Sequence, residues 1–512
     1  MKFRTYLAGL ALATLVAPAA IAQETLPLSL DQAVKTALEN NLGVQIQSYD
    51  YRILGETARG SYGLLDWNTT ATLSKSKTEQ ATSDVTQSSD SESDVLNLGA
   101  NHLFSTGAFF GVQWNNSKNT ENSAAFEIPS FYQTSVGVQL TQPLLRDFGV
   151  DVTRRGINIA RNNLGISREA FRNVLLETVN SVEIAYYDLV FAQRDLDVQK
   201  QSLDLAREQE RITQIRIDVG ADAPLDILEP QVSIAQREQD VLLAEAALRS
   251  AEDTVRRLLN LPLEEWDRPI TTDASLEFQQ MNIDVPASVE KAFENRPELK
   301  QAKLQQENQK IQQLFARNQV LPTLDLTGSY RYSGLDQNYS DALDQVTGSD
   351  FPGWQVQLQF GMPISNTQAR ADARRAELEF EQTVTNEAQT RQAIMVEVRQ
   401  AARNIETSLK GIAATRAARD AAEKNLDAQR KRFDNGMSTN FDVLRVQNDL
   451  AGARSAELRA LTSYQKSVAA FHRAVGDLLE LRGIELQDPA QFDLPASRLE
   501  KVEWLNYGDQ AK

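Results

Sequence analysis

Apolar residues recur every three or four positions between Arg154 and Val219, a stretch that contains no proline. This spacing gathers them on one face of a helix. At about 1.5 Å per residue, its 66 residues would form a helix roughly 99 Å long, deeper than any ordinary globular core. A solvated helical hairpin of a cytoplasmic scaffold would show the same pattern. The predicted coiled-coil seam consists of Phe171, Leu175, Val182, Ala185, Leu189, Leu196 and Leu203.

Other parts of the chain show the same helical period or a period of two. Apolar and polar residues alternate in several stretches between Trp67 and Pro143, and again in two stretches between Leu324 and Phe360, which is typical of strands with one buried face. Between about Lys75 and Asp94 the chain is rich in Ser, Asp and Thr, so we expect a solvated loop there. Further helices are predicted over Ser29 to Leu64, Leu225 to Asn260, Ala287 to Val320, Thr367 to Asn435 and Phe441 to Gly476.

The order helix, strands, long helix, glycine turn and helix occurs twice, which indicates an internal duplication. Ala37–Asn41 resembles Ala292–Arg296, 255 residues later, whereas Gly220 and Gly436 are 216 residues apart. The difference makes the first strand section 39 residues longer than the second. The sequence leaves open whether this insertion adds a transmembrane hairpin or only an extracellular one.

The N-terminus has the pattern of a secretory signal. Lys2 and Arg4 precede an apolar run, and the small residues Ala20 and Ala22 predict cleavage before Gln23. Beyond it, no apolar run reaches the 18 or so residues of a spanning helix, whereas an exported chain could still enter a membrane as a closed barrel.

The composition argues against several functions. The formal charge of −17 disfavours nucleic-acid partners, and the absence of cysteine excludes disulfides and thiolate metal sites. His102 and His472 lie far apart in the sequence without ligand spacing around either, and no glycine-rich phosphate loop is present. We therefore expect a protein that is not an enzyme and has no cofactor, metal or catalytic residues.

Two turns repeat a local motif, Arg-x-x-x-Gly followed by Asp-x-Leu. It contains Gly220 and Asp226 in the first repeat, and Gly436 and Asp442 in the second. Together with the signal and the duplicated order of elements, these turns resemble the TolC family of outer-membrane efflux proteins. The resemblance covers about Leu30 to Gly476.

The resemblance implies a mainly α fold with a β-barrel part. Each duplicated helix-strand-helix protomer would contribute long antiparallel coiled-coil helices to a trimeric periplasmic tunnel, and strands to a shared transmembrane β-barrel. It also implies a passive exit duct for drug or small-molecule efflux or for type I protein secretion, in the cell outer membrane with a long periplasmic extension. The expected partners are two further copies, a periplasmic adaptor (membrane fusion protein), an inner-membrane transporter and outer-membrane lipid. The sequence names neither the cargo nor the pump and adaptor.

This architecture divides the chain into nine segments. They are a signal peptide (1–22), the first-repeat N-terminal helix (23–66), an outer-membrane β section with extracellular loops (67–143), a periplasmic helical hairpin (144–261), a linker or equatorial segment (262–286), the second-repeat helix (287–322), a second outer-membrane β section (323–363), a second periplasmic helical hairpin (364–476) and an acidic C-terminal tail (477–512).

The resemblance also assigns candidate site residues. Asp442 matches a family position that rings the tunnel entrance, while Arg445 stands where a second acid can lie, so a double acidic ring is not expected. A helix cap that complements the helix dipole would equally explain Asp442, and the glycines would end helices in either case. The candidates are Asp226, Asp442 and Arg445 for the gate, and Gly220, Ala221, Gly436 and Met437 for adaptor docking.

The strand sections suggest which residues meet lipid. We expect Val136, Val138, Leu140, Trp354, Val356, Leu358 and Phe360 to face lipid, and Gln139, Gln355, Gln357 and Gln359 to face water. Trp67, Trp114, Tyr132, Tyr330 and Trp354 are candidates for interfacial aromatic girdles, although each could be an ordinary packing residue. An exported trimeric coiled-coil adhesin or periplasmic scaffold is the alternative, which explains the helices but not the alternating strands.

Overall fold

The computed structural model describes residues 25–79, 81, 90–122, 130–274, 276 and 280–484. The predicted signal peptide and residues 485–512 of the predicted tail lie outside this part. The strands are β1 (Leu26–Leu28), β2 (Asn68–Glu79), β3 (Asp90–Leu103), β4 (Phe109–Asn122), β5 (Ser130–Pro143), β6 (Ile270–Thr272), β7 (Thr323–Asp336) and β8 (Pro352–Gly361). The helices are α1 (Leu30–Asn40), α2 (Leu42–Ser61), α3 (Val150–Thr153), α4 (Arg155–Asp218), α5 (Leu228–Leu259), α6 (Val285–Asn295), α7 (Pro297–Gln319), α8 (Tyr339–Thr347), α9 (Thr367–Asp434), α10 (Asn440–Val475) and α11 (Leu478–Leu481).

The described residues form two compact units. A helical unit comprises residues 25–42, 178–274, 276, 280–282 and 401–471, and includes the two short parallel strands β1 and β6. A sheet unit comprises the described residues of 43–177, 283–400 and 472–484, and contains the remaining six strands.

The long helices are confirmed. The predicted helix between Arg154 and Val219 is α4, and its predicted twin is α9, of 68 residues. Every residue of the predicted seam in α4 is buried. In the helical unit, α4 also buries Tyr186, whose single O–H proton has two acceptors in reach, Asp273 Oδ1 at 3.0 Å and the carbonyl oxygen of Leu28 at 3.2 Å. Burial raises the pKa of this phenol, which therefore stays protonated.

Two predicted helices are interrupted, so their predicted continuity was wrong. The first breaks between α1 and α2 at Asn41, and the second between α6 and α7 at Arg296. Both residues have extended backbone, with ψ of 127° at Asn41 and 123° at Arg296. Pro297 explains the second break, because the residue before a proline avoids the helical conformation.

Each break lies beside the end of another helix, and the two junctions are copies of each other. In the helical unit, Asn41 Nδ2 donates to the carbonyl oxygen of Leu258, at 2.9 Å. In the sheet unit, Arg296 Nη1 donates to the carbonyl oxygen of Ala474, at 3.1 Å. Leu258 and Ala474 are separated by the repeat interval of 216 residues. The duplication inferred from the sequence therefore extends to single hydrogen bonds.

The sheet unit contains a six-stranded antiparallel sheet in the order β2-β3-β4-β5-β7-β8. By the repeat intervals, the start of β2 corresponds to the start of β7, and the end of β5 falls within β8. The hairpin of β3 and β4 is therefore the insertion that makes the first strand section longer. α8 packs on β5 and β7, where Ala342 is completely buried.

The predicted loop between Lys75 and Asp94 was wrong at both ends. β2 continues to Glu79 and β3 begins at Asp90, so these segments pair as strands. Lys75 contacts Glu92 and Asp94, and Lys77 lies 3.6 Å from Asp90. Cross-strand pairs of opposite charge add to the stability of a sheet, and a prediction based on hydrophobicity alone does not include them.

Gly476 offers a test of the junction in the sheet unit. Its φ is 83°, and a β-carbon there would lie 3.3 Å from the main-chain carbon of Asn295. We expect Gly476→Ala to lower stability by about 1–2 kcal/mol and to lower the Tm of the detergent-solubilised protein. The control is Gly452→Ala in α10, where a β-carbon meets nothing within 4 Å. That change should leave the Tm unchanged or raise it; equal Tm values for both variants would contradict the prediction.

Candidate functional site

The two predicted docking turns share one backbone geometry. Gly220 and Gly436 have φ of 73° and 72°, a left-handed conformation that favours glycine at the end of a helix. The next residue in each turn donates its N–H back into the helix, from Ala221 to Arg216 at 2.7 Å and from Met437 to Arg432 at 2.8 Å. The geometry shows that both glycines end helices; the docking role stays a prediction.

Arg216 holds the first turn in shape. Its guanidinium group donates two hydrogen bonds to the carboxylate of Asp222, at 2.8 and 3.0 Å, and lies 4.9 Å from the ring centre of Phe433. Phe433 belongs to the end of α9, so Arg216 connects both turns of the helical unit. The arginine was visible in the repeated motif, but its contact with the second turn depends on the tertiary fold.

The carboxylates of Asp226 and Asp442 each accept a hydrogen bond from the turn that precedes the next helix. Asp226 accepts a hydrogen bond from the N–H of Ala223 at 2.9 Å. Asp442 accepts one from the hydroxyl group of Thr439 at 2.8 Å, and these hydrogen bonds, with Arg445 contributing less, lower the pKa of Asp442. Asp442 is thus an acid in the first turn of α10, and its own N–H donates to the hydroxyl group of Thr439 at 3.3 Å. Its gate role stays a prediction.

Of the three gate candidates, the structure brings two together. Arg445 Nη2 lies 3.6 Å from Asp442 Oδ1, an exposed pair one helical turn apart. In the described part of the chain, Asp226 forms no ion pair with Arg445. Within one protomer, the carboxylate of Asp442 is thus partly offset by a neighbouring positive charge.

A groove of about 750 Å³ lies between α5 and α10 in the helical unit. Leu228, Val232 and Phe441 line it, and each of these side chains is more than half exposed. Exposed apolar side chains gathered in a groove are typical of a protein-binding surface. Sequence reasoning identified Phe441 only as the start of a helix.

Arg237 forms the floor of this groove and is only 3% exposed. It donates hydrogen bonds to the carbonyl oxygens of Ser202, at 2.5 Å, and Leu444, at 3.0 Å. Burial lowers the pKa of this guanidinium group, because desolvation disfavours its charged form. Pro230, Arg237 and Ala244 are buried at intervals of seven residues, so the heptad spacing could have identified Arg237 as a seam residue.

A buried polar cluster fixes the start of α10 in the helical unit. The side-chain oxygen of Asn440 accepts hydrogen bonds from Gln209 Nε2, at 2.7 Å, and from the hydroxyl group of Thr213, at 2.9 Å. All three side chains are buried. Because Asn440 is two residues from Asp442, this cluster sets the position of the candidate gate carboxylate relative to α4.

The six-stranded sheet has two chemically different faces. Its apolar face includes the register row Ala71, Leu98, Trp114, Val136, Tyr332 and Pro352, and its polar face includes the row Thr70, Gly99, Gln113, Gly137, Arg331 and Gly353. All of the residues predicted to face lipid share the apolar face. All four predicted water-facing glutamines share the polar face.

The aromatic candidates fall at different levels of the apolar face. Trp67 lies just before β2, its ring 5.0 Å from that of His102 and 6.1 Å from that of Phe110. Tyr330 and Trp354 are register partners nearer the middle of the sheet. The indole N–H of Trp114 donates to Thr134, and the ring of Tyr132 contacts that of Tyr339. The girdle role stays a prediction for all five residues.

Among the described residues, no helix is long and apolar enough to cross a membrane. No group of three or more His, Asp or Glu side chains among them could hold a metal ion. His472 instead contacts Asp477 through Nδ1, at 2.8 Å.

Comparisons with known proteins agree with this geometry. A sequence model described as "outer membrane efflux protein" matches residues 103–261 and 288–477. Outer membrane protein TolC of Salmonella enteritidis is 27% identical over 386 residues, which cover 71% of this chain and 73% of that protein. Outer membrane efflux protein BepC of Brucella suis is 24% identical over 336 residues, covering 64% and 69%. The CmeC outer membrane channel of Campylobacter jejuni is similar in structure, with a TM-score of 0.66, 16% identity and coverage of 93% and 89%.

The fold and the matches define an outer-membrane efflux channel, a class of transport proteins rather than enzymes. The chain belongs to the outer membrane efflux protein family, because the family match covers more than half of its residues. The resemblance to TolC is thereby confirmed, and so is the location in the cell outer membrane.

Proposed function

We propose that three copies of the chain form a passive exit duct for an inner-membrane pump that acts through a periplasmic adaptor. The strand sections 67–143 and 323–363 cross the outer membrane in this proposal. The hairpins 144–261 and 364–476 line a periplasmic tunnel. The cargo is a drug, another small molecule or a protein secreted by a type I system.

The observation that carries the proposal is the two-faced sheet with two open edges. β2 and β8 each pair with one neighbour in the described part of the chain, so one side of each strand has unpaired main-chain groups. In lipid each such group costs several kcal/mol, so the edges must pair. Pairing β8 of one copy with β2 of the next closes the sheet, and three is the number of copies that the family resemblance implies.

The faces fit this closure. With the apolar face outward, the valine and leucine side chains of β5 and β8 meet lipid, and the polar face surrounds water. The reverse orientation would place the glutamine side chains of β8 in lipid, at a high free-energy cost.

The groove between α5 and α10 is the proposed docking surface for the adaptor. Its apolar side chains Leu228, Val232 and Phe441 lie close in sequence to the glycine turns, which the family resemblance associates with docking. An adaptor helix with an apolar stripe would bury these side chains by the usual packing of a helix in a groove.

The proposed gate consists of Asp226 and Asp442 from three copies around the tunnel entrance. Carboxylates around a threefold axis favour cations, although Arg445 offsets part of the charge of Asp442. Because its hydrogen bonds lower the pKa of Asp442, the carboxylate stays charged until the pH falls below its ordinary pKa of about 3.9. A gate that uses this charge would therefore work unchanged across the neutral and mildly acidic range.

The duct is tested by assembly and location. We expect the mature protein to fractionate with outer membranes and to migrate as a trimer that heating converts to monomers. We also expect a periplasmic adaptor and an inner-membrane transporter to co-purify after cross-linking. A soluble periplasmic monomer would contradict the proposal, and a trimer with no channel activity in planar bilayers would favour the adhesin or scaffold.

The gate is tested by separating charge from capping at Asp226 and Asp442. The double Asn variant removes the charge and keeps a side-chain oxygen that can cap, whereas the double Ala variant removes both. We expect both variants to weaken block by La³⁺ in single-channel recordings, and the Ala variant also to raise conductance by widening the tip. If only the Ala variant differs from wild type, the aspartates act as caps alone.

The docking groove is tested by Val232→Lys. The added charge must be desolvated when an adaptor helix packs over it, so we expect at least about a tenfold loss of co-purified adaptor. Trimer yield and conductance should not change, because Val232 is exposed. Leu263→Lys is the control, since Leu263 is exposed but does not line the groove. An equal loss in both variants would argue against this groove.

A further inference from the structure

The polar face of the sheet is almost free of charge. Of its side chains that the structure describes, only Asp325 and Arg331 are ionised, and the others are mainly Ser, Thr, Asn, Gln and Gly. Both charges lie on β7, six residues apart, which is about 20 Å along a strand. Asp325 is therefore too distant to pair with Arg331.

Arg331 also has no other partner in the sheet. Within the described part of the chain it forms no ion pair or hydrogen bond through its guanidinium group, and its side chain is exposed. An arginine that stabilised the sheet would be expected to bond a carboxylate or a carbonyl oxygen. Its five N–H donors are instead open to solvent on the polar face.

Two glycines clear the space around Arg331. The register row that contains it is Thr70, Gly99, Gln113, Gly137, Arg331 and Gly353, so both immediate neighbours lack a side chain. A β-carbon at Gly137 would lie 3.0 Å from Arg331 Cβ, and one at Gly353 would lie 3.4 Å from both Cγ and Nε. The arginine side chain thus extends along the wall over Gly353, and a solute could approach it from the water side.

We propose that Arg331 is a selectivity residue of the barrel lumen that attracts small anions, such as carboxylate-bearing or phosphate-bearing solutes. This inference rests on the proposed trimeric duct. Closure of three copies would place three guanidinium groups at one level of an otherwise neutral wall. Rings of basic side chains favour anions in pores of this kind. The barrel would then oppose the cation preference proposed for the carboxylates at the tip.

The width of the lumen determines when this preference is measurable. Six strands per copy give eighteen strands in three copies. At a spacing of about 4.8 Å and a tilt of about 40°, these enclose a backbone diameter of roughly 36 Å, with the three charges roughly 20 Å apart. The Debye length is about 30 Å at 0.01 M salt and about 3 Å at 1 M. The ring should therefore influence the whole lumen only in dilute salt.

The test is the reversal potential of the full-length trimer in a planar bilayer under a KCl gradient. We expect Arg331→Gln to raise the K⁺/Cl⁻ permeability ratio about twofold near 0.01 M KCl and to leave it unchanged near 1 M. Arg331→Glu should raise it further in dilute salt, and Arg331→Lys should keep the wild-type ratio. An unchanged ratio in Arg331→Gln channels that form normal trimers would overturn this inference and leave the proposed duct intact.

The matched control is Lys118→Gln. Lys118 lies on the apolar face, next to the ring of Tyr132, so this change removes the same charge from the other side of the wall. We expect its permeability ratio to equal that of wild type. If both variants shift the ratio equally, the effect belongs to the overall charge of the protein, and the selectivity role of Arg331 is wrong. A wild-type chain that forms no trimer or pore would overturn the duct and this inference together.

Discussion

Within the described part of the chain, the main-chain groups along the outer sides of β2 and β8 have no strand partner, and this is the constraint on which the rest of the structure depends. A sheet with open edges cannot remain in lipid, where no water is present to satisfy those groups. Its register also separates an apolar face from a polar one, so the sheet can curve with only one face toward lipid. In the proposed trimer, the open edges of one copy pair with those of the next, so that association completes a sheet that one protomer leaves open.

The duplication explains how such a protomer is organised. Two copies of one helix-strand-helix pattern place equivalent junctions in the helical unit and in the sheet unit. In the first, the amide of Asn41 bonds the carbonyl oxygen at the end of α5; in the second, Arg296 bonds the corresponding oxygen of α10 and also pairs with Glu298 and Glu397. Both repeats contain this hydrogen bond, but its donor is an asparagine amide in the first and an arginine guanidinium group in the second. A main-chain oxygen is present whatever the residue type, so it can be retained as a partner through such divergence.

The sequence was informative wherever one period dominated. The seam of α4 and the alternation in β5 and β8 were predicted correctly because each buries or presents a whole face, and that regularity appears in the residue order. The break at Asn41 was missed because its hydrogen-bond partner, Leu258, lies 217 residues away, whereas Pro297 was a local signal for the break at Arg296 that the helical period outweighed. The pairing of Lys75 with Glu92 was missed because the stabilising interaction is ionic. The site was less predictable than the fold: the motif identified Asp442 and its turn, but the contacts of Arg216 and Arg237 arise only when separate helices meet.

The inserted hairpin of β3 and β4 shows how this fold can change size. The chain enters the first strand section at one end of the sheet, beside Trp67, and must leave at that same end, at Pro143, for α4 to follow as it does in the shorter second section. One extra strand would reverse the direction of the exit and bring the chain out at the wrong end. Strands can therefore be added only in pairs. The width of the sheet in this architecture therefore changes by whole hairpins, two strands at a time. The helix that follows still begins at the same end of the sheet.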